Sequence, residues 1–263
     1  MDLSIVTVSM NHLTYVKRLL KSVYEEHRPN LEFDFILVDN CSSDNTVEFV
    51  KSYYPQVRII QNTAIFGFGA NNNKGVKIAQ GKVVALINPD IVLTEGCLEG
   101  LYQYIISNPK VGIVCPQLLN EDLSIQYSAR RFMSAKILLN RVFSLGYDST
   151  LNSSVSKYLM KDMKADANSY PVDWAIGAAY VVSRDFFNAL GGFDEDYFLY
   201  VEDMDFCLRS WKLDKRVVYL TSVQLIHTHH RSSRKIFSKR FWLHVNSILC
   251  FFRKHGINVK SYC

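Results

Sequence analysis

The sequence predicts an α/β fold, with a mostly parallel central sheet and helices on both faces. Three observations carry this. Short, nearly all-apolar, β-rich runs recur through the first 115 residues. An amphipathic helical pattern separates most of them from the next, and polar residues follow directly after several of the runs. Alternating βα units of this kind build parallel sheets, and unbroken apolar runs suit strands covered on both faces.

In order, Leu3 to Ser9 is the first strand, followed by cap chemistry at Asn11 and Thr14. A helix then places Val16, Leu19, Leu20 and Val23 on one face. Phe33 to Val38 is the second strand, ending at Asp39-Asn40. The polar turn Cys41 to Thr46 leads to a helix carrying Val47, Val50 and Tyr54, and Val57 to Ile60 is a third strand. Phe66 to Gly75 reads as a Gly/Asn loop running into a helix that stops near Gly81. Val83 to Ile87 is a fourth strand, stopped by Asn88-Pro89-Asp90. A helix lined by Leu98, Leu101 and Ile105 precedes a fifth strand, Val111 to Cys115. From Pro116 to Pro171 the pattern weakens, with a candidate helix at 136–145 and a Ser/Asn-rich loop at 148–156. Ala178 to Ser183, Lys215 to Leu220 and Val223 to Ile226 complete the strands.

Parallel sheets bind ligands at the carboxyl ends of their strands. Ser9-Met10-Asn11, Asp39-Asn40 and Asn88-Pro89-Asp90 all fall there. Each alone reads as a polar turn; three on one edge indicate a nucleotide-type pocket. The glycines at 67 and 69 follow the third strand without GxGxxG spacing, and no Gly-Lys-Ser/Thr occurs, so neither a dinucleotide fingerprint nor a Walker loop is present.

The totals exclude several classes. With 263 residues, 48% hydrophobic and 21% charged, the chain is globular and can bury a substantial core. Its 15 Tyr and 16 Phe suit a large core, sugar-stacking surfaces or a membrane-facing patch. The six Cys are scattered with no CxxC pair, as expected of reduced thiols rather than a zinc site or a disulfide framework. The start runs straight into a strand, so no signal peptide is expected, and no apolar run approaches the ~20 residues that span a bilayer. The expected compartment is the cytoplasm.

The net charge of +5 is concentrated near the C-terminus. There, Phe237, Phe241, Val245, Ile248 and Phe252 fall on one helical face among Arg234, Lys235, Lys239, Arg240, Arg253 and Lys254. Such a helix can lie on an anionic bilayer or pack its stripe against the sheet. The one-signed charge favours the bilayer. A nucleic-acid role has no motif to support it.

Against this basic background Gly191 to Arg209 is strongly acidic. Its first half is loop-like, and its second half reads as a helix starting at Glu202-Asp203 with Phe206 and Leu208 inward. Carboxylates in a first helical turn lie at the positive end of the macrodipole, which favours their ionised form and suits a general base. The plain alternative is a capped surface helix braced by Asp205 and Arg209 at i,i+4.

Taken together, these motifs resemble glycosyltransferase family 2. The matching residues are Ser9 to Asn11, Val38 to Thr46, Asn62 with Gly67 to Gly69 and Asn71 to Gly75, Asn88 to Asp90, Trp174 and Gly177. They continue through Gly191 to Glu195, Glu202 to Asp205 with Arg209, and His227. The resemblance covers nearly the whole chain, and its Gly-Phe-Gly-x-Asn-Asn, Asn-Pro-Asp and Tyr-x-Glu-Asp-x-Asp combination looks like the bacterial rhamnosyltransferase branch. It implies a GT-A fold over 1–230, with a nucleotide-binding half at 1–115 and an acceptor half at 116–230, followed by a basic amphipathic helix over 231–263. It also implies an inverting transfer of L-rhamnose from dTDP-rhamnose to a polyprenyl-diphosphate-linked GlcNAc in surface-polysaccharide assembly. The protein would then lie on the cytoplasmic face of the inner membrane. UDP-galactose and UDP-glucose fit the same framework, as does a nucleotide-sugar-binding protein without activity.

Residue by residue, the resemblance implies Asp203 as the base and Ser9, Asn11, Asp39, Asn40, Gly67, Asn71, Asn88 and Asp90 around the donor. Asp39 would hold the pyrimidine. Trp174, Glu202, Asp205 and Arg209 would support the acceptor side, and Asp90 with His227 would hold Mg²⁺ or Mn²⁺. Asn88 departs from the family's first metal-binding Asp, and His227 can equally be an imidazole that closes a strand end. The Gln-x-x-Arg-Trp motif of processive synthases is missing its Gln before Arg209-Ser210-Trp211, which implies addition of one or a few sugars.

Overall fold

The computed structural model describes residues 1–132, 153–161, 168–228 and 239–263. Strands β1 (Leu3–Ser9), β2 (Phe33–Asp39), β3 (Arg58–Gln61) and β4 (Val83–Ile87) pair in parallel in the order β3-β2-β1-β4. Their crossovers are α1 (Leu13–Lys21, extended by a π-helical turn at Ser22–Glu26), α2 (Thr46–Tyr53) and α3 (Phe68–Ile78). The first half therefore folds as its βα pattern predicts, with one shift: residues 68–75, read as loop, already form α3.

Beyond β4 lie β5 (Ile91–Val92), α4 (Cys97–Ser107) and β6 (Val111–Leu119). They are followed by β7 (Ile125–Gln126), β8 (Ala129–Arg130), α5 (Ser153–Tyr158) and β9 (Ser169–Pro171). The chain continues through β10 (Trp174–Ala175), β11 (Ala179–Ser183), α6 (Arg184–Ala189), α7 (Glu202–Lys212), β12 (Arg216–His227) and α8 (Lys239–His255). The sheet continues β4-β11-β6-β12-β5, with β7 on β6 and β9 on β12. β11 is antiparallel to both β4 and β6, so the sheet is mixed, and a strand from the second half sits between two from the first. The two strands expected at 215–226 are one strand, interrupted by a register shift between Leu220 and Gln224. The loop expected at 148–156 gives way to α5 from Ser153, while the candidate helix at 136–145 lies outside the described residues.

Alternation along each strand divides the core. Leu3, Ile5, Phe35, Leu37, Ala85 and Ile87 face α1, α2 and α4. Val6, Ile36, Val38, Val84 and Leu86 face α3, α6 and α7. A third cluster joins Phe132, Tyr158, Tyr197, Met204 and Leu208 to Phe251 of α8. The C-terminal helix thus packs its Ser247, Phe251 and His255 side onto α7 and the loop before it, a face offset from the stripe read in the sequence. Phe237, Arg234 and Lys235 lie outside the described residues.

The cap of α1 also differs from expectation. Neither Asn11 nor Thr14 caps it; the Leu13 N–H donates to Asp44 Oδ2 at 2.8 Å, across from the next βα loop.

The seating of α3 depends on Gly75. A Cβ there would lie 2.3 Å from Val6 Cγ1 and 3.2 Å from Val38 Cγ2, and both partners are stiff β-branched core residues. Gly75→Ala is expected to destabilise the fold by ~1–3 kcal/mol through overpacking. A denaturant midpoint equal to wild type would show that α3 is not seated this closely.

Candidate active site

The carboxyl edge of β1, β2 and β4 carries polar groups that the protein itself does not satisfy. Among the described residues, Thr7 Oγ1, Ser9 Oγ, Asp39 Oδ1 and Asp90 Oδ1 are buried without a hydrogen-bond partner. Thr7 and Ser9 share the strand face of Leu3 and Ile5, and Asp39, directly opposite Ser9, shares that of Leu37. Each such atom costs ~1–3 kcal/mol unless something binds it, so their clustering marks a ligand edge. Asp39 Oδ2 accepts from the Ser42 N–H at 3.1 Å, which fixes the carboxylate and leaves the other oxygen for a ligand. Asn11, at φ 57°, accepts from the Ser43 N–H at 2.7 Å and locks the first loop to the second.

Two of the expected donor contacts are built differently. Asn71 is fully buried, and its amide nitrogen donates to the Phe66 and Gly67 carbonyls at 3.1 and 2.9 Å. Asn62 Nδ2 donates to Asn71 Oδ1 at 2.6 Å and to Asn40 Oδ1 at 3.2 Å, and the Asn40 amide clasps the backbone of Phe66 from both sides. Asn40 and Asn71 therefore shape the loop rather than point into the edge. Gly67 serves a close approach: a Cβ would lie 2.7 Å from the Phe198 carbonyl, which accepts from the Phe68 N–H at 2.9 Å. This joins the donor-side loop to the acidic segment before α7.

That segment ends in unusual backbone. Tyr200 and Val201 both have positive φ, 68° and 71°, a strained state for non-glycine residues and especially for β-branched Val201. They lead into α7, where Glu202 is buried with Oε2 unpartnered and Asp203 remains partly accessible. Asp203 Oδ2 accepts from the Gly177 N–H at 3.1 Å and Oδ1 from the Met204 N–H at 2.8 Å. Burial raises Asp203 to about 6 despite those bonds and the nearby charge of Arg130. Burial and the Asp203 charge push Glu202 well above the ordinary carboxylate range. The dipole argument from sequence is thus outweighed: desolvation, not the helix N-terminus, governs both groups.

Asp203 is tied to the Asn88–Asp90 turn through consecutive residues. Gly177 donates to Asp203, and the carbonyl of Ala178 accepts from the Asn88 N–H at 2.9 Å. Asp90 is held by its carbonyl, which accepts from the Thr228 N–H, and by β5 pairing Ile91 with His227. His227 Nε2 lies 3.4 Å from Asp90 Oδ2, while its Nδ1 lies 2.6 Å from Gln126 Oε1. Among the described residues no group of three or more His, Cys, Asp or Glu suits a metal. One carboxylate with an unsatisfied buried oxygen and one imidazole still fit a divalent cation that takes its remaining ligands from phosphate and water.

The remaining support residues sit behind this edge. Asp205 is fully buried; Arg209 Nε donates to its Oδ2 at 2.7 Å and His255 Nε2 contacts its Oδ1 at 2.7 Å. Burial pushes the Asp205 carboxyl up, but His255 and Arg209 more than offset it and hold the group below its ordinary range. Arg209 also donates to the Leu190 and Gly192 carbonyls, bracing the loop. Trp174 is half-buried with its indole N–H donated to the Arg131 carbonyl at 2.8 Å. Lys254 of α8 pairs with Asp194 and Asp196 at 2.5 and 2.7 Å.

Sequence reasoning missed Gln126, Arg130, His12 and His255. His12 is close enough to Asp90 and Asp44 for their charges to raise it, although burial wins and lowers it, helped by Arg240 of α8. None of the four lies in a motif; each arrives through long-range packing.

The sequence profile of Glycosyl transferase family 2 matches residues 4–166, more than half of the chain. Rhamnosyltransferase WbbL of Escherichia coli is 28% identical over 263 residues, covering 96% of this chain and 93% of its own. N-acetylglucosaminyl-diphospho-decaprenol L-rhamnosyltransferase of Mycobacterium tuberculosis is 29% identical over 239 residues, covering 86% of this chain and 75% of its own. Among solved structures, mannosyltransferase PcManGT from Pyrobaculum calidifontis in complex with GDP-Man and Mn²⁺ superposes with a TM-score of 0.66 at 16% identity, over 99% of this chain and 65% of that one. A sheet edge of unsatisfied polar groups, a partly open carboxylate beside it and these matches agree: the chain belongs to glycosyl transferase family 2 and is a glycosyltransferase.

Proposed function

We propose that this protein transfers L-rhamnose from dTDP-rhamnose to GlcNAc on a polyprenyl diphosphate, inverting the anomeric centre, during assembly of a bacterial surface polysaccharide such as O-antigen. The names of its two rhamnosyltransferase relatives support the sugar and the acceptor. The observation that carries the chemistry is the link from Asp203 through Gly177 and Ala178 to the Asn88–Asp90 turn, which holds a base beside a donor edge.

In this reading Asp39 and Ser9 receive the base of the nucleotide, with Asn11 holding the wall and Asn88 beside the diphosphate. Asp203 accepts the proton of the acceptor hydroxyl as its oxygen bonds to the anomeric carbon. The bond from that carbon to the diphosphate breaks, and the electron pair leaves with dTDP. One displacement inverts the centre and needs one ionised carboxylate. Burial and the Asp203 charge push Glu202 beside it well above the ordinary carboxylate range, so Asp203 is the carboxylate assigned as base. A divalent cation on Asp90 and His227 supplies positive charge against the leaving diphosphate when bound. Asp205 and Arg209 brace α7, and Trp174 lines the acceptor side.

A panel of dTDP-rhamnose, UDP-galactose and UDP-glucose, offered with a lipid-diphosphate GlcNAc acceptor, tests the donor. Transfer is expected from dTDP-rhamnose alone and to be lost in EDTA. Transfer from a UDP-sugar only would replace the donor, and full activity in EDTA would remove the metal.

Asp203→Asn is expected to lose at least about a hundredfold in transfer rate while binding dTDP like wild type; an active Asn variant would sink the base assignment. Because the base works ionised and Asp203 titrates at about 6, wild-type turnover should climb with pH through that value and level off above it.

The outer side of α8 presents exposed Trp242 and Leu249 with Arg253, and no helix among the described residues is long and apolar enough to cross a membrane. We place this side on the anionic cytoplasmic face of the inner membrane. Removing the whole helix would unpack Phe251 from the core, so the test is the double variant Trp242→Ala with Leu249→Ala. It should sediment less with anionic vesicles while keeping transfer to a soluble acceptor; unchanged sedimentation would refute the membrane face.

A further inference from the structure

We infer that Gln126 is a positioning residue that turns the ligating nitrogen of His227 toward the cation site. The inference rests on the metal reading above and deepens it.

Gln126 lies on β7, held antiparallel to β6 by the pairing Leu118 with Gln126 and Leu119 with Ile125. Its amide is oriented from both sides. Nε2 donates to Asn120 Oδ1 at 2.9 Å and to the His227 carbonyl at 3.3 Å. With the nitrogen so committed, the Gln126 oxygen is the atom that meets His227 Nδ1 at 2.6 Å. An amide oxygen only accepts, so the hydrogen is on Nδ1. In the neutral ring Nε2 then carries a lone pair, directed at Asp90 Oδ2 across 3.4 Å.

Two acceptors facing each other at that distance repel unless a metal ion or a second ring proton, on Nε2, joins them. Asp90 Oδ1, buried and unpartnered, adds a third lone-pair site on the same group. A metal-binding imidazole is normally fixed by a hydrogen bond at its other nitrogen, and losing that partner costs about 10- to 100-fold in metal affinity. Here a neutral amide does that work, anchored by a strand only two residues long, and it ties His227 at both its ring and its carbonyl.

The test measures Mn²⁺ binding to the full chain in the presence of dTDP by electron paramagnetic resonance, for wild type, Gln126→Leu and Gln126→Glu. Gln126→Leu should weaken Mn²⁺ by about 10- to 100-fold, with dTDP binding in EDTA unchanged as the check on folding. Gln126→Glu keeps an acceptor for Nδ1 and should escape the roughly tenfold or greater loss expected of Gln126→Leu. Nitrogen NMR of metal-free wild type should show the hydrogen of His227 on Nδ1, and a hydrogen on Nε2 alone would overturn the inference. Equal Mn²⁺ affinity in wild type and Gln126→Leu, or equal loss in both variants, would overturn it and leave the metal reading standing. No Mn²⁺ binding by wild type would overturn both.

Discussion

The candidate site depends on one constraint of topology: β11 runs antiparallel between β4 and β6. Because Ala179 at its start pairs with Ile87 at the end of β4, the residues just before β11 are delivered to the carboxyl edge of the parallel strands. Gly177 and Ala178 are those residues, and their backbone groups bond Asp203 on one side and Asn88 on the other. A parallel β11 would start at the opposite edge and leave α7 without that anchor. Gly177 also meets α7 at close range, since a Cβ on it would lie 3.0 Å from Asp203 Cβ.

Along α7, two aspartates two residues apart meet opposite fates. Asp205 is buried but paired with Arg209 and His255, so its carboxyl titrates below the ordinary range. It therefore adds stability above the unfolded carboxylate value, and that contribution is lost as pH falls through its depressed folded value. Glu202 is buried and Asp203 largely desolvated, and burial outweighs the Arg130 charge beside Asp203, so both titrate above the ordinary range. For them the folded chain binds protons more tightly than the unfolded one, so their contribution declines as pH rises from the ordinary carboxylate value toward about 6 and beyond. The bracing group stabilises the fold at neutral pH, and the site pair weakens it. Environment, not residue type, separates the roles.

Local pattern made the first half of the fold legible. β1 and β4 fall where apolar runs place them, and Asp39, Asn88 and Asp90 sit at strand ends as expected. The misreadings are all of longer range. Asn71 looked like a ligand contact because it follows a glycine loop, yet its side chain is consumed by loop carbonyls. The dipole argument for Glu202 and Asp203 could not weigh burial, which a sequence window does not contain. Gln126 lies on a strand too short to show alternation, in the stretch where pattern fails. The C-terminal helix showed its amphipathicity but not which arc of it meets α7, since that depends on Phe251 finding the pocket beside Met204 and Leu208.

The cap of α1 has a consequence for thermodynamics. Asp44 secures the helix from the neighbouring loop, Asn11 bonds that same loop at Ser43, and Ser9 accepts from the Asn40 N–H at 2.8 Å. The loops after β1 and β2 are therefore one welded wall before any ligand arrives. A nucleotide settling against it would freeze few additional backbone torsions, so little of its contact energy would be spent on ordering the protein. Its association should carry a small entropic penalty from the chain.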